Sequence, residues 1–148
     1  MKLKPSLFAA LVAGLAFGTA QAQTKWDMPT PYAESNFHTK NVKQFADEVK
    51  AASGGKLEFT VHSNASLIKH PDIKRAVQTG QVNIGEFLVS VISNESPIYA
   101  FDSNPFLAAN YDAAKKLWRV AKPYIEKRLD AQGVKLLYSV PWPPQGIY

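Results

Sequence analysis

Two apolar periodicities alternate along this chain, and the switch between them restricts the fold more than any other feature. Val42, Phe45, Ala46, Val49 and Ala52 recur at helical spacing from a start near Ser35 or Asn36, and Gly54-Gly55 ends the run. Leu57, Phe59 and Val61 then alternate with Glu58 and Thr60, the period of a strand with one buried face. Lys25 to Met28 reads as a short strand ahead of that helix. His70-Pro71-Asp72 opens a second helix, with Ile73, Ala76 and Val77 inward and Gly80 as terminator. The first half of Val82 to Val91 reads as a buried strand. A third helix from about Asn110 carries Ala114, Leu117, Trp118, Ala121, Ile125 and Leu129 on one side, with Pro123 expected to kink or divide it and Gly133 to end it. Val134 to Val140 reads as a last strand. Strands alternating with helices imply an α/β fold, a mostly parallel sheet with helices on both faces. Ligands of such sheets bind beyond the carboxyl ends of the strands, which selects the segments 29–37, 63–70, 86–90 and 141–145.

The amino terminus predicts export. Lys2 and Lys4 precede an apolar run from Leu7 to Phe17, and Ala20 and Ala22 occupy the two small-residue positions of a cleavage site, so residues 1–22 read as a signal peptide cut between Ala22 and Gln23. The apolar run is too short for a bilayer core, which needs about 20 helical residues. The chain has no cysteine, hence no disulfide framework and no lipid-acceptor thiol. Cleavage would remove two of 17 basic groups against 12 acidic ones, leaving an excess of +3 on residues 23–148. Charges of both signs are interspersed, as in Lys43, Asp47, Glu48 and Lys50, which speaks for a solvated surface and against nucleic acid as a partner. The expected product is an exported protein of the periplasm, not itself membrane-spanning.

Chemistry-bearing motifs are sparse. Neither a dinucleotide fingerprint nor a phosphate-binding loop is present, and no cofactor is called for. His38, His62 and His70 lack metal-ligand spacing, and no Gly-x-Ser-x-Gly elbow places a nucleophile, so an exported hydrolase is the weaker alternative. Lys69-His70-Pro71 stands at a helix start, where free amides favour an anion; Lys69 and His70 form either a carboxylate-binding corner or an ordinary solvated turn. Glu86, between Gly85 and Phe87, is costly to bury without partners and either accepts from ligand hydroxyls or pairs with a cation such as Arg75. Phe87 and Trp118 read as core. Prolines on both sides of Trp142 hold its flat ring in a loop.

Five ordered stretches carry a resemblance: Phe45 to Lys50 (FADEVK), Gly54 to Val61 (GGKLEFTV), Leu67 to Glu86 (LIKHPDIKRAVQTGQVNIGE), Asn104 to Leu107 (NPFL) and Gly133 to Leu137 (GVKLL). Together they resemble the DctP-type solute-binding proteins of tripartite ATP-independent periplasmic (TRAP) transporters. The resemblance implies the first lobe of a periplasmic-binding-protein-like clamshell, not an enzyme, that captures a small organic acid (a carboxylate) for membrane permease subunits. It also implies that Thr30, Pro31, His70, Phe87 and Trp142 face the cleft, with Glu86 beside them. A periplasmic ligand-sensing protein is the alternative within the same fold. The family continues into a second lobe carrying an arginine for the ligand carboxylate; residues 23–148 are accordingly expected to be an N-terminal lobe truncated before it.

Overall fold

The computed structural model describes residues 23–143; the expected signal segment with its Ala22/Gln23 boundary, and the end of the last loop segment, lie outside the described residues. The elements run β1 (Thr24–Pro29), α1 (Phe37–Ala52), β2 (Leu57–His62), α2 (Ile73–Gln78) and α3 (Tyr111–Asp130), with 3-10 turns at His70–Asp72, Val89–Ile92 and Pro97–Ala100. β1 and β2 pair in parallel with Trp26 opposite Phe59 and Met28 opposite Val61. This β-α-β order makes α1 the crossover, as parallel pairing requires.

Asn36 starts α1 because its side chain accepts the His38 N–H at 2.9 Å, satisfying one otherwise orphaned amide. The stripe read from the sequence then packs on the sheet: Val42 and Ala46 join Met28, Phe59 and Ile84 in one buried cluster, with Trp26, Phe45 and Val49 around it. Phe59 stacks on both Trp26 and Phe45, at ring separations of 5.8 and 5.7 Å. The opposite strand face is polar, where Asp27 holds His62 at 2.7 Å.

A second cluster joins α3, through Ala121, Ile125 and Leu129, to Ile92, Tyr99 and Val134. Asn110 caps α3 by accepting the Ala113 N–H at 2.9 Å, and Gly133 follows its end at a φ of +75° that suits glycine. α3 is one continuous helix and is not divided at Pro123. That residue is exposed, and so is Arg119, whose carbonyl loses its helical partner but keeps water.

Two expected strands do not form. Val82 and Ile84 are buried as the pattern required, but the segment 82–88 is an irregular chain tied to β1 by the Glu86 N–H on the Pro29 carbonyl at 3.0 Å. Residues 134–140 are also irregular: Val134 is buried in the α3 cluster while Leu137 and Tyr138 are exposed. Apolar alternation records which side chains leave water, and a strand needs a neighbouring edge as well; the sheet among the described residues has two strands.

Candidate functional site

The loop leaving β1 is fixed by the loop leaving β2. Thr30 N–H donates to the His62 carbonyl at 2.9 Å, prolonging the ladder, and the Asn64 and Ala65 amides donate to the Tyr32 and Thr30 carbonyls at 2.7 and 3.2 Å. Asn64 and Ala65 turn those amides back by adopting φ of +57° and +51°, a left-handed backbone that costs an alanine roughly 1 kcal/mol. Thr39, buried in α1, adds a hydroxyl bond to the Tyr32 carbonyl at 3.1 Å. Thr30 is itself fully buried, and Pro31 and Tyr32 follow it as a rigid lip.

Glu86 meets this lip. Its carboxylate accepts the Thr30 hydroxyl at 2.5 Å, and among the described residues it forms no ion pair, so its partner is Thr30 rather than Arg75. Burial pushes the Glu86 carboxyl above its ordinary value, and the Thr30 hydrogen bond opposes that shift. Two phenols feel the same carboxylate. Tyr32 is pushed up to about 12, by burial first and then by Glu86, with the Trp142 indole acting the other way. Tyr138 is also raised, by burial first, then by Glu86 and Glu48.

His70 closes another side. Its Nε2 accepts the Leu88 N–H at 3.0 Å, so that the segment carrying Glu86 is clasped to the start of the α2 region. A ring nitrogen that accepts carries no proton, which places the hydrogen of the neutral ring on Nδ1. Burial holds this histidine below its ordinary value, in keeping with the neutral form. The expected anion corner at the helix opening has fewer amides than a long helix start offers. The Asp72 and Ile73 amides are used on the Lys69 and His70 carbonyls of the 3-10 turn, and α2 has six residues. Lys69 is exposed beside it.

Aromatic rings form the remaining wall. The Trp142 ring lies 4.4 Å from His38 and 5.3 Å from both Tyr32 and Phe37, edge-on to the latter two. Tyr32 also stacks on His38 at 5.3 Å and meets His70 edge-on at 5.8 Å. Tyr138 rests on Phe45 at 5.1 Å, so the segment 138–142 runs antiparallel along one face of α1. The structure thus brings Thr30, His70, Glu86 and Trp142 around Tyr32, with Pro31 adjacent in the chain. Phe87 instead packs against two apolar clusters, the one at Ile73 and the one at Tyr99.

Tyr32 and His38 were not among the residues singled out in the sequence. A signal existed for His38, which lies four residues before Val42 on the apolar stripe of α1, an odd place for a polar ring. Three buried polar atoms have no partner at hydrogen-bond geometry among the described residues: His38 Nε2, Asn41 Oδ1 and Tyr32 Oη, on which the nearby Trp142 indole is the smallest of the three influences. All three belong to the lip or to the face of α1 beneath it. Two surface depressions beside α2 lie apart from this cluster. One is edged by Lys69, Arg75 and Gln81, the other by Lys74, Glu95 and Gln132, and neither has an aromatic wall. Among the described residues no group of three or more His, Asp or Glu gathers as a metal site.

Residues 30–142 match the family model described as bacterial extracellular solute-binding protein, family 7, and the chain belongs to that family. No match was found among curated proteins. Solved structures are similar over 82% of this chain. Bordetella pertussis DctP6, an extracytoplasmic solute receptor binding pyroglutamic acid, is 55% identical with a TM-score of 0.80. DctP7 of the same organism, with the same ligand, is 50% identical with a TM-score of 0.80. A marine metagenome TRAP solute binding protein specific for pyroglutamate is 48% identical with a TM-score of 0.81. The chain spans 40% of the length of each of these proteins. Among the described residues no helix is long and apolar enough to cross a membrane.

Proposed function

We propose that this chain supplies one wall of the ligand site in an extracytoplasmic receptor for a small organic acid, and that the acid is pyroglutamate or a near analogue. One observation carries the reading: the half-buried Glu86 carboxylate, held by Thr30 and paired with no cation among the described residues, sits beside aromatic rings at the carboxyl ends of β1 and β2. A carboxylate so placed is a hydrogen-bond acceptor awaiting a donor, and the ring N–H of a cyclic amide is such a donor. Flat faces at Trp142 and Tyr32 suit a small ring. The ligand's own negative charge then points away from Glu86, towards His70, Lys69 and the part of the receptor beyond these residues.

In this reading the site residues are Thr30, Pro31, His70, Glu86 and Trp142, with Phe87 supporting the segment from its apolar side. Residues 1–22 act as the signal peptide, residues 23–148 belong to the first lobe, and the loaded receptor hands its ligand to TRAP permease subunits. Pyroglutamate in these relatives, each close to half identical or better, supports the choice of ligand.

Calorimetric titration of the full-length protein with pyroglutamate tests the reading. Micromolar or tighter binding is expected, weakened tenfold or more by Glu86→Gln, since each tenfold corresponds to about 1.4 kcal/mol. Absence of binding to pyroglutamate would overturn it.

A further inference from the structure

Buried polar atoms without partners are rare, because each carries an uncompensated desolvation cost. Here two of them, Tyr32 Oη and His38 Nε2, belong to rings stacked on one another at 5.3 Å. His38 is 5% exposed, so bulk water does not meet its need. Tyr32 stands in the middle of the candidate site, touching the rings of both His70 and Trp142. The Trp142 ring covers the pair, and it arrives on the segment 135–142, which makes no backbone-to-backbone hydrogen bond with the rest of the described residues. An indole held by ring contacts and by its action on the Tyr32 hydroxyl, with no strand pairing, can shift without breaking a ladder.

From this juxtaposition we infer that Tyr32 and His38 are specificity-determining residues that read the neutral polar edge of the ligand, donating to the carbonyl of its ring amide once Trp142 moves aside. The inference rests on the receptor reading above and adds two residues to it. Tyr32 donates through its hydroxyl, and His38 donates in the tautomer that carries hydrogen on Nε2. Glu86, which faces Tyr32 electrostatically, accepts the amide N–H on the other side of the ring. A site built this way rejects a ring acid lacking the amide, because both donors would stay unpaired and the carboxylate would keep only its Thr30 hydrogen bond.

The test compares L-pyroglutamate with cyclopentanecarboxylate, which keeps the acid and the five-membered ring but has no amide, on the full-length protein. The wild type should prefer pyroglutamate by about a hundredfold or more. Tyr32→Phe and His38→Phe should each weaken pyroglutamate roughly tenfold and change cyclopentanecarboxylate by less than about twofold, so that the ratio falls. His38→Gln, which restores a donor, should recover part of the loss. Pyroglutamate should also change tryptophan emission in the wild type and fail to do so in Trp142→Phe. Equal affinity for the two acids in the wild type would overturn the inference. So would variants that weaken both acids alike or neither, or tight binding with unchanged Trp142 emission. Failure of the wild type to bind either acid would sink the receptor reading, and the inference with it.

Discussion

His70 Nε2 accepts the Leu88 N–H at 3.0 Å, and through this bond a residue at the entrance to α2 positions a carboxylate two residues before the donor. The imidazole is spent on structure at Nε2, where it clasps the Glu86 segment, and keeps Nδ1–H as its donor. His70→Ala removes the acceptor and leaves a partly buried amide unpaired. The expected loss is about 1–2 kcal/mol in urea denaturation, together with roughly tenfold weaker ligand binding. Unchanged stability with weakened binding would reassign His70 to ligand contact alone.

Acid should destabilise the protein through buried His38 and half-buried His70. Burial holds His38 and His70 below the ordinary value of 6.5, so the unfolded chain takes up their protons first as the pH falls. Their neutral forms fit the fold at no penalty above 6.5, and stability declines as the pH drops through and below that value. Glu86 works the other way. Its raised value makes ionisation a cost at neutral pH, and that cost is relieved as the pH falls towards 4.5. The melting temperature should therefore fall between pH 7.5 and pH 5.5, more steeply in Glu86→Gln, which lacks the compensating proton, and less steeply in a variant with both histidines replaced. Identical slopes in all three proteins would refute the assignment.

Which features could be read from the chain follows from how local their causes are. The α1 stripe at Val42 and Ala46, the cap at Asn36 and the stop at Gly133 depend on neighbours within a turn or two, and all are visible in sequence. The segment 82–88 failed as a strand because pairing is a property of two segments, and Val82 and Ile84 specify burial only. Thr30 and Glu86, 56 residues apart, came together in the reading because sheet topology sends both to the strand ends. The wall formed by Tyr32, His38 and Trp142 depends on where the segment 138–142 lies against α1, and no local pattern encodes that path.

Lys74 is buried at the junction of α2 and α3, and its ammonium donates to Glu95. Gln132 donates to the same carboxylate at 3.1 Å, and Arg128 reaches the Glu95 carbonyl at 3.4 Å. The Lys74 hydrogen bond is the first cause holding the Glu95 carboxyl below 4.5, so its contribution is present above that value and lost as the pH falls below it. Glu95→Ala strands the lysine charge. Because the Glu95 side chain is 31% exposed, water partly rehydrates the site, and the expected cost is about 2 kcal/mol rather than the roughly 3–5 kcal/mol of a fully buried pair. Replacing both residues, Lys74→Met with Glu95→Ala, should cost less than Glu95→Ala alone. Chemical denaturation of the wild type, of Lys74→Met and Glu95→Ala singly and of the double variant checks the order, and additive losses would show that the two groups do not act as a pair.

Gly85 carries the last prediction, because it alone lets the Glu86 segment pass between β1 and α2. A Cβ at this position would lie 2.6 Å from Ile73 Cγ2 and 3.5 Å from Pro29 Cγ, and Ile73 is fully buried with little room to retreat. The requirement is space for the backbone, a different demand from the left-handed turn that glycine serves at Gly133. Gly85→Ala should therefore cost about 1–3 kcal/mol by overpacking. It should also push residues 85–88 outwards, stretching both the Glu86 amide bond to Pro29 and the Thr30 hydroxyl bond to Glu86. Ligand affinity and stability are then expected to fall together in this variant. Ile73→Leu, which has no methyl branch on Cβ and so lacks the crowding Cγ2, should return part of both when combined with Gly85→Ala. A Gly85→Ala protein as stable and as tight-binding as the wild type would show that the close approach at Ile73 is not what places Glu86.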